Sequence, residues 1–243
     1  MRQASMQSDV TPITVVHLGH MPYLPCWQLQ RALAAARRRG DVSDLLLLVE
    51  HPPTYTIGKG GSWDNLLLDA QALQRLGAVC VTVDRGGDIT FHGPGQLVLY
   101  FIMALGPEER RVRRFVERLE RVVIETIAAF GITGHIDPAY PGVWVGDAKI
   151  AALGIAVHHG VTYHGTALNV DPDLRYFTYM IPCGIRGRGV TSLARELGRS
   201  VQFAEVLPPL LSAVEHVFER PVSVGPNRDQ FLASWAQLLM NAA

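Results

Sequence analysis

The chemistry open to this sequence is framed by three cysteines and two lysines. Cys80 sits in the apolar run Val79-Cys80-Val81 and reads as a small core hydrophobe. Cys26 stands between Pro25 and Trp27 at the opening of a helix, where packing is again the expectation. Cys183 differs, because it lies between Pro182 and Gly184 and outside any periodic segment. Proline stiffens the approach to that thiol and glycine leaves room around the sulfur. A nucleophile needs this setting and a partner that lowers its pKa. Two partners are open. Lys149 begins a strand-like run whose alternate side chains share a face. Its ammonium would favour the thiolate, and its amine, once neutral, would move protons. His92 would complete the commoner cysteine–histidine pair. Lysine is scarce here: of 22 basic residues, all but Lys59 and Lys149 are arginine. Arginine does not surrender its proton, so a retained lysine marks a place where arginine would fail. Lys59, in a glycine-rich loop, reads as incidental. His158, His159 and His164 lie close together, but their spacing fits no familiar zinc pattern and neither CxxC nor HExxH occurs, so no metal is expected.

A second stretch with chemical character is Arg85-Gly86-Gly87-Asp88-Ile89-Thr90-Phe91-His92-Gly93-Pro94-Gly95-Gln96. Apolar runs at 78–83 and 97–103 predict strands on either side. The segment itself is too rich in glycine for an ordinary strand. Glycine lacks the Cβ that would keep backbone away from a ligand. Glycines alone favour a plainer reading, a hairpin whose polar groups face water; the segments around it move the reading.

The elements that must position these residues follow from periodicity. Strands are predicted at 13–18, 45–49, 142–145, 149–158 and 162–169, with a short extension at 54–57. Gly146-Asp147 and His159-Gly160 signal hairpins. Helices are predicted from Pro22 and Pro25 through Ala36, over 69–76 and over 107–130. Thr191 is the expected N-cap of a helix over 192–197, and helical pieces follow at 203–217 and 228–240. Pro208 and Pro209 are expected to break or kink the first of these two. Residues 58–62 read as a mobile loop. One face of the 107–130 helix carries Arg110, Arg111, Arg113, Arg114, Glu117, Arg118, Glu120 and Arg121. It reads as solvated and laced by i,i+4 pairs, or more sharply as a docking patch for an acidic protein. The class is α+β, a mixed sheet with flanking helices.

Size and charge bound the function. The 243 residues suit one domain over 11–243 behind a flexible tail at 1–10. A formal net charge of zero speaks against a nucleic-acid partner. Apolar runs fall short of the ~20 residues that cross a bilayer, and the polar N-terminus is no secretory signal. The odd, widely spaced cysteines give no disulfide framework and point to a reducing cytoplasm.

In combination the segments resemble a known family. The 85–96 stretch is similar to the signature of the bacterial octanoyltransferases. The likeness continues through Gly142-Val143-Trp144, Lys149-Ile150-Ala151-Ala152-Leu153-Gly154 and His164-Gly165-Thr166-Ala167-Leu168-Asn169. It ends in Pro182-Cys183-Gly184 with Val190-Thr191-Ser192-Leu193. The resemblance implies the fold shared by biotin protein ligases and lipoate ligases. It implies transfer of an octanoyl group from acyl carrier protein to a lysine of lipoyl domains. Those acceptors are the E2 subunits of 2-oxoacid dehydrogenases and the glycine cleavage H protein. It implies no cofactor, and a monomer is the expectation. By the same resemblance Cys183 is the nucleophile and Lys149 lowers its pKa. Arg85, Gly86, Gly87, Asp88, Ile89, Thr90, Phe91, His92, Ala152, Leu153, Gly154, Gly165, Thr166 and Ala167 line the acyl and donor-arm site. Three alternatives stay open: an ATP-dependent lipoate or biotin ligase, an amidotransferase passing octanoyl between lipoyl domains, and a non-catalytic module that binds acyl carrier protein.

Overall fold

A computed structural model describes residues 11–106, 112–181 and 188–240 of the chain. The tail at 1–10 and Cys183 therefore lie outside the described residues, as do Arg110 and Arg111. In chain order the elements are β1 (Ile13–His20), α1 (Tyr23–Arg39), β2 (Leu45–Glu50), β3 (Thr54–Ile57), α2 (Ala70–Arg75), β4 (Val79–Thr82), β5 (Ile89–His92) and β6 (Gln96–Ile102). They continue as α3 (Val112–Ala128), β7 (His135–Asp137), β8 (Tyr140–Val145), β9 (Ala148–His158), β10 (Val161–Asn169), β11 (Gly189–Val190), α4 (Leu193–Leu197), α5 (Phe203–Phe218), β12 (Val222–Val224) and α6 (Arg228–Met240).

The main sheet is mixed, in the order β12-β1-β2-β6-β10-β9-β8-β7, with β11 added beside β9. It is buried on both faces, which explains the unbroken apolar run in β2. Leu46 and Leu48 face the core shared with Phe115, Leu119 and Val123 of α3 and Leu210 and Val214 of α5. Leu45, Leu47 and Val49 face the opposite core, with Leu29 and Leu33 of α1 and Trp235 of α6. A strand covered on both sides has no reason to alternate.

The segment that precedes β6 departs from expectation. The glycine-rich stretch contains a strand of its own, β5, in a separate sheet ordered β4-β3-β5. The two runs flanking it thus belong to different sheets, and β5 sides with the first, pairing with β3. Residues 54–57 belong to this small sheet and do not extend β2. The loop at 58–62 is tied to the stretch backbone to backbone: Gly58 N donates to Asp88 O, Lys59 N to Arg85 O and Gly60 N to Gly87 O, at 3.2, 3.0 and 3.1 Å. Phe91 faces the small sheet's own core, stacked on Tyr176 at 4.7 Å.

Other expectations are corrected locally. Ser192, not Thr191, caps α4, its hydroxyl accepting from Arg195 N at 3.2 Å. Thr191 donates its hydroxyl to Glu196 instead. Pro208 and Pro209 sit inside one assigned helix, α5, whose N-terminus is secured by a capping box between Gln202 and Glu205. The α5 side chains Val206, Leu210 and Val214 are fully buried, and that packing outweighs the two backbone bonds that proline cannot make. On α3, i,i+4 pairs form between Arg113 and Glu117 at 3.1 Å and between Arg121 and Glu125 at 3.6 Å. Glu120 does not belong to the solvated face, being only 3% exposed. The β9–β10 turn carries left-handed φ at both His159 (51°) and Gly160 (81°), as a tight two-residue hairpin requires. Among the described residues no helix is long and apolar enough to cross a membrane.

One contact sets the spacing of the central strands. A Cβ at Gly165 of β10 would lie 2.1 Å from Leu99 O of β6. Gly165→Ala must therefore push the strands apart, and unfolding in urea is expected to show a loss of about 1–3 kcal/mol. An unchanged denaturation midpoint would contradict this packing.

Candidate active site

The segments singled out in the sequence converge on one cavity of about 300 Å³. Arg85, Gly86, Gly87, Asp88, Ile89, Thr90 and His92 line one side. Lys149, Ala152, Leu153 and Gly154 of β9 and Gly165, Thr166 and Ala167 of β10 line another. Phe91 is the exception, since the alternation of β5 turns its ring into the small core. Cys183 is outside the described residues, but Met180 before it and Arg188 after it both line the cavity.

Glycine lets these segments meet. A Cβ at Gly58 would lie 2.4 Å from Gly87 O, and one at Gly154 would lie 2.9 Å from Gly86 O and 3.0 Å from Arg85 Cδ. The 85–88 turn is thus laid against β9, with Gly86 N donating to Ile155 O at 2.9 Å. Arg85 is buried, and its guanidinium donates to Thr56 O, Thr56 Oγ1, Gly86 O and Asp88 O. Its charge is fixed in the cavity wall by backbone and hydroxyl oxygens.

Around that charge stands a belt of neutral rings. His51 donates from Nδ1 to Met21 O at 2.6 Å, so its Nε2 accepts from Tyr100 OH at 2.8 Å. Burial lowers its pKa to about 4. His92 is held by Gln96 Oε1 at 2.8 Å. The Gln96 amide nitrogen donates to Phe91 O and to Asn169 Oδ1, leaving its oxygen to accept. His92 therefore carries its proton on Nδ1 and presents Nε2 as an acceptor. Burial, then the neighbouring His51 and Arg85, hold it well below the usual histidine range.

His164 takes a left-handed φ of 61° within β10, which for a non-glycine residue costs about 1–3 kcal/mol. The backbone is held there by His164 N donating to Gln30 Oε1, and the ring by Nε2 donating to Asp84 Oδ1, both at 2.8 Å. Burial works against the Asp84 carboxylate, but hydrogen bonds from His164, Tyr163 and Trp27 outweigh it and hold the carboxyl well below its ordinary range. His158 and His159 meet edge to face at the hairpin tip, with ring centroids 4.1 Å apart.

Lys149 has a defined seat. Its Nζ donates to Pro141 O at 3.0 Å and lies over the Trp144 ring at 4.8 Å. The Arg188 guanidinium covers the same ring at 4.8 Å. Burial pushes the Cys26 thiol up to about 12 and the Cys80 thiol up to about 11, so neither is a nucleophile at neutral pH. Sequence reasoning missed Tyr23, Tyr100, Trp144, Asn169, Met180 and Arg188 as lining residues. Trp144 and Asn169 were within reach, since each stands in a recognised segment; the others carry no local signal.

Comparison with solved structures defines the class first. Lipoate-protein ligase A bound with ATP matches with a TM-score of 0.73 at 16% identity, over 94% of each chain. A bipartite lipoate protein ligase from Thermoplasma acidophilum, studied with its E2 lipoyl domain, matches at 0.70 and 15%, over 94% of this chain and 92% of that one. The fold is that of the lipoate ligases. The family model for the lipoyl protein ligase A/B catalytic domain matches residues 22–215. Proteins named octanoyltransferase from Chloroflexus aggregans and Rubrobacter xylanophilus are 47% and 46% identical, over 87% and 84% of this chain and 97% and 93% of their own. The chain belongs to the octanoyltransferases of the lipoyl protein ligase A/B catalytic-domain family.

The buried rings make stability depend on pH with a definite sign. The pKa of His51 falls from 6.5 to about 4 on folding. The unfolded chain therefore takes up this proton first. The contribution of the neutral ring is complete above pH 6.5 and is lost as pH falls towards 4, by about 3 kcal/mol. His92 and His164, also lowered, act in the same direction. Urea unfolding is expected to weaken over this window, with a shallower slope in His51→Phe; parallel slopes in the two proteins would refute the assignment.

Proposed function

We propose that this chain, as one catalytic domain over residues 11–243, transfers an octanoyl group from the thioester of acyl carrier protein to a lysine of a lipoyl domain. The transfer passes through a thioester on Cys183. The observation that carries the reading is the gathering of the 85–92, 149–154 and 165–167 segments around one cavity with Lys149 in its wall. The octanoyltransferase relatives support it. The cavity is lined chiefly by apolar surface and lies at the small end of ligand-pocket volumes. A short linear acyl chain suits it.

The dyad divides the reaction into two balanced steps. In the resting enzyme the cysteine proton resides on Lys149. The Cys183 thiolate attacks the donor carbonyl carbon, a new C–S bond forms, and the donor's own C–S bond breaks. The departing sulfur takes the proton from the Lys149 ammonium. The acceptor lysine, as free amine, then attacks the acyl-enzyme. A C–N bond forms, the bond to Cys183 breaks, and Lys149 accepts the surplus proton from nitrogen. Thiolate and ammonium are thereby restored. Exchange of one thioester for another is nearly balanced and the amide is downhill, so no nucleotide is consumed. The acceptors are lipoyl domains of 2-oxoacid dehydrogenase E2 subunits and the glycine cleavage H protein. A monomer in a reducing cytoplasm, where Cys183 escapes oxidation, suits this reading. The Arg113 and Arg121 cations of α3 are already paired within the helix, which weakens that face as the docking patch for the carrier.

Intact mass spectrometry after brief incubation with octanoyl-acyl carrier protein tests the intermediate. One octanoyl adduct is expected, labile to hydroxylamine and absent from Cys183→Ser; an adduct surviving in that variant would remove the nucleophile. Lys149→Arg keeps the charge and loses the base, and is expected to lower turnover by about 100-fold or more. Near-normal turnover would dismiss the proton-transfer role.

A further inference from the structure

The wall around Lys149 is tied to α3 by a buried carboxylate that the mechanism does not use. Glu120 is 3% exposed, and its Oε1 accepts the Gly142 N–H at 3.1 Å. Gly142 and its neighbours form the seat of the lysine. Pro141 O accepts from Nζ, and the Trp144 ring underlies it. That ring is fixed in turn by its Nε1 donating to Tyr140 O at 3.1 Å. Gly142 itself lies at φ 137°, where a Cβ would meet Ala151 O at 2.7 Å and Lys149 Cε at 3.1 Å. The lysine stem therefore runs against a bare Cα, and the height of that Cα is set by the carboxylate behind it.

An apolar residue would fill this place in a helix core without the cost of burying a charge. Burial raises the Glu120 pKa, and the Gly142 N–H works against that. Glu117 and Arg113 from α3 and Lys149 from β9 are the other charges that bear on it. Arg188 lies over the same Trp144 ring as Lys149.

We infer that Glu120 is a positioning residue for octanoyl transfer: it holds the Pro141–Gly142 turn on which Lys149 is seated, and so aims the ammonium. This rests on the role given to Lys149 above.

The test compares kcat and KM for octanoyl-acyl carrier protein, and the pH dependence of Cys183 alkylation by iodoacetamide, in four full-length proteins and the wild type. Glu120→Ala is expected to lower kcat about 10-fold or more with KM held within about 3-fold, since misplacing the catalytic group by a fraction of an ångström acts on the reaction and not on acyl binding. Its alkylation profile moves to higher pH, because the ammonium no longer stabilises the thiolate as well. Glu120→Gln keeps an acceptor oxygen for Gly142 N–H and is expected to stay within about 3-fold of wild-type kcat. In a Lys149→Met background, Glu120→Ala is expected to change the residual rate by less than about 2-fold, because two residues acting through one group do not add. If Glu120→Ala does not fold, Glu120→Asp, one methylene short of Gly142, replaces it with the same expected loss. Wild-type kcat in Glu120→Ala, or an equal loss on the wild-type and Lys149→Met backgrounds, overturns the inference. Lys149→Met with undiminished kcat would instead overturn the role of Lys149, and that result is read without any change at Glu120.

Discussion

Backbone lies against backbone at this site with no Cβ between, and the rest of the structure depends on that contact. The 58–60 loop packs on the 85–88 turn, that turn packs on β9, and β10 packs on β6, with glycine at Gly58, Gly154 and Gly165 where a methyl group would collide with a carbonyl. These contacts bring two sheets, otherwise separate, to a common cavity. They also explain why a stretch as glycine-rich as 85–96 is ordered: its carbonyls receive the amides of the loop beneath it.

Once the turn is laid down, it delivers a buried guanidinium. Arg85 is held by oxygens of Thr56, Gly86 and Asp88, and its charge reaches Tyr23, Tyr100, His92 and His164. Burial and this cation together keep the histidines neutral. The cavity thus combines an apolar lining with fixed, uncharged hydrogen-bonding groups. In the proposed reaction such groups orient a thioester carbonyl without competing for the proton that Lys149 moves.

The lysine is treated differently. It is partly exposed, capped by a carbonyl and backed by an aromatic face that it shares with Arg188. In the proposed reaction this lysine both gives and accepts a proton. The carboxylate of Glu120 reaches it through Gly142, from the far side of the turn.

Much of this was legible in the residues. The apolar runs of β2, β6 and β9, the cap of α4 to within a residue, and the segments that line the cavity all carry local signals of period, glycine or motif. Scarcity singled out Lys149, which the cavity wall contains, and an aperiodic Pro-Cys-Gly singled out Cys183, which lies outside the described residues. Tertiary structure alone decided the rest, because those features depend on partners far away in sequence. That β5 belongs to a second sheet depends on pairing with β3, 38 positions earlier at Thr54↔His92, and not with its neighbour β6. That Glu120 is buried depends on Gly142, which needs its carboxylate. That Asp84 gathers Trp27, Tyr163 and His164 depends on a left-handed residue in β10 which nothing in the order of residues announces. Periodicity reports the face on which a side chain lies; only the folded chain determines what stands opposite it.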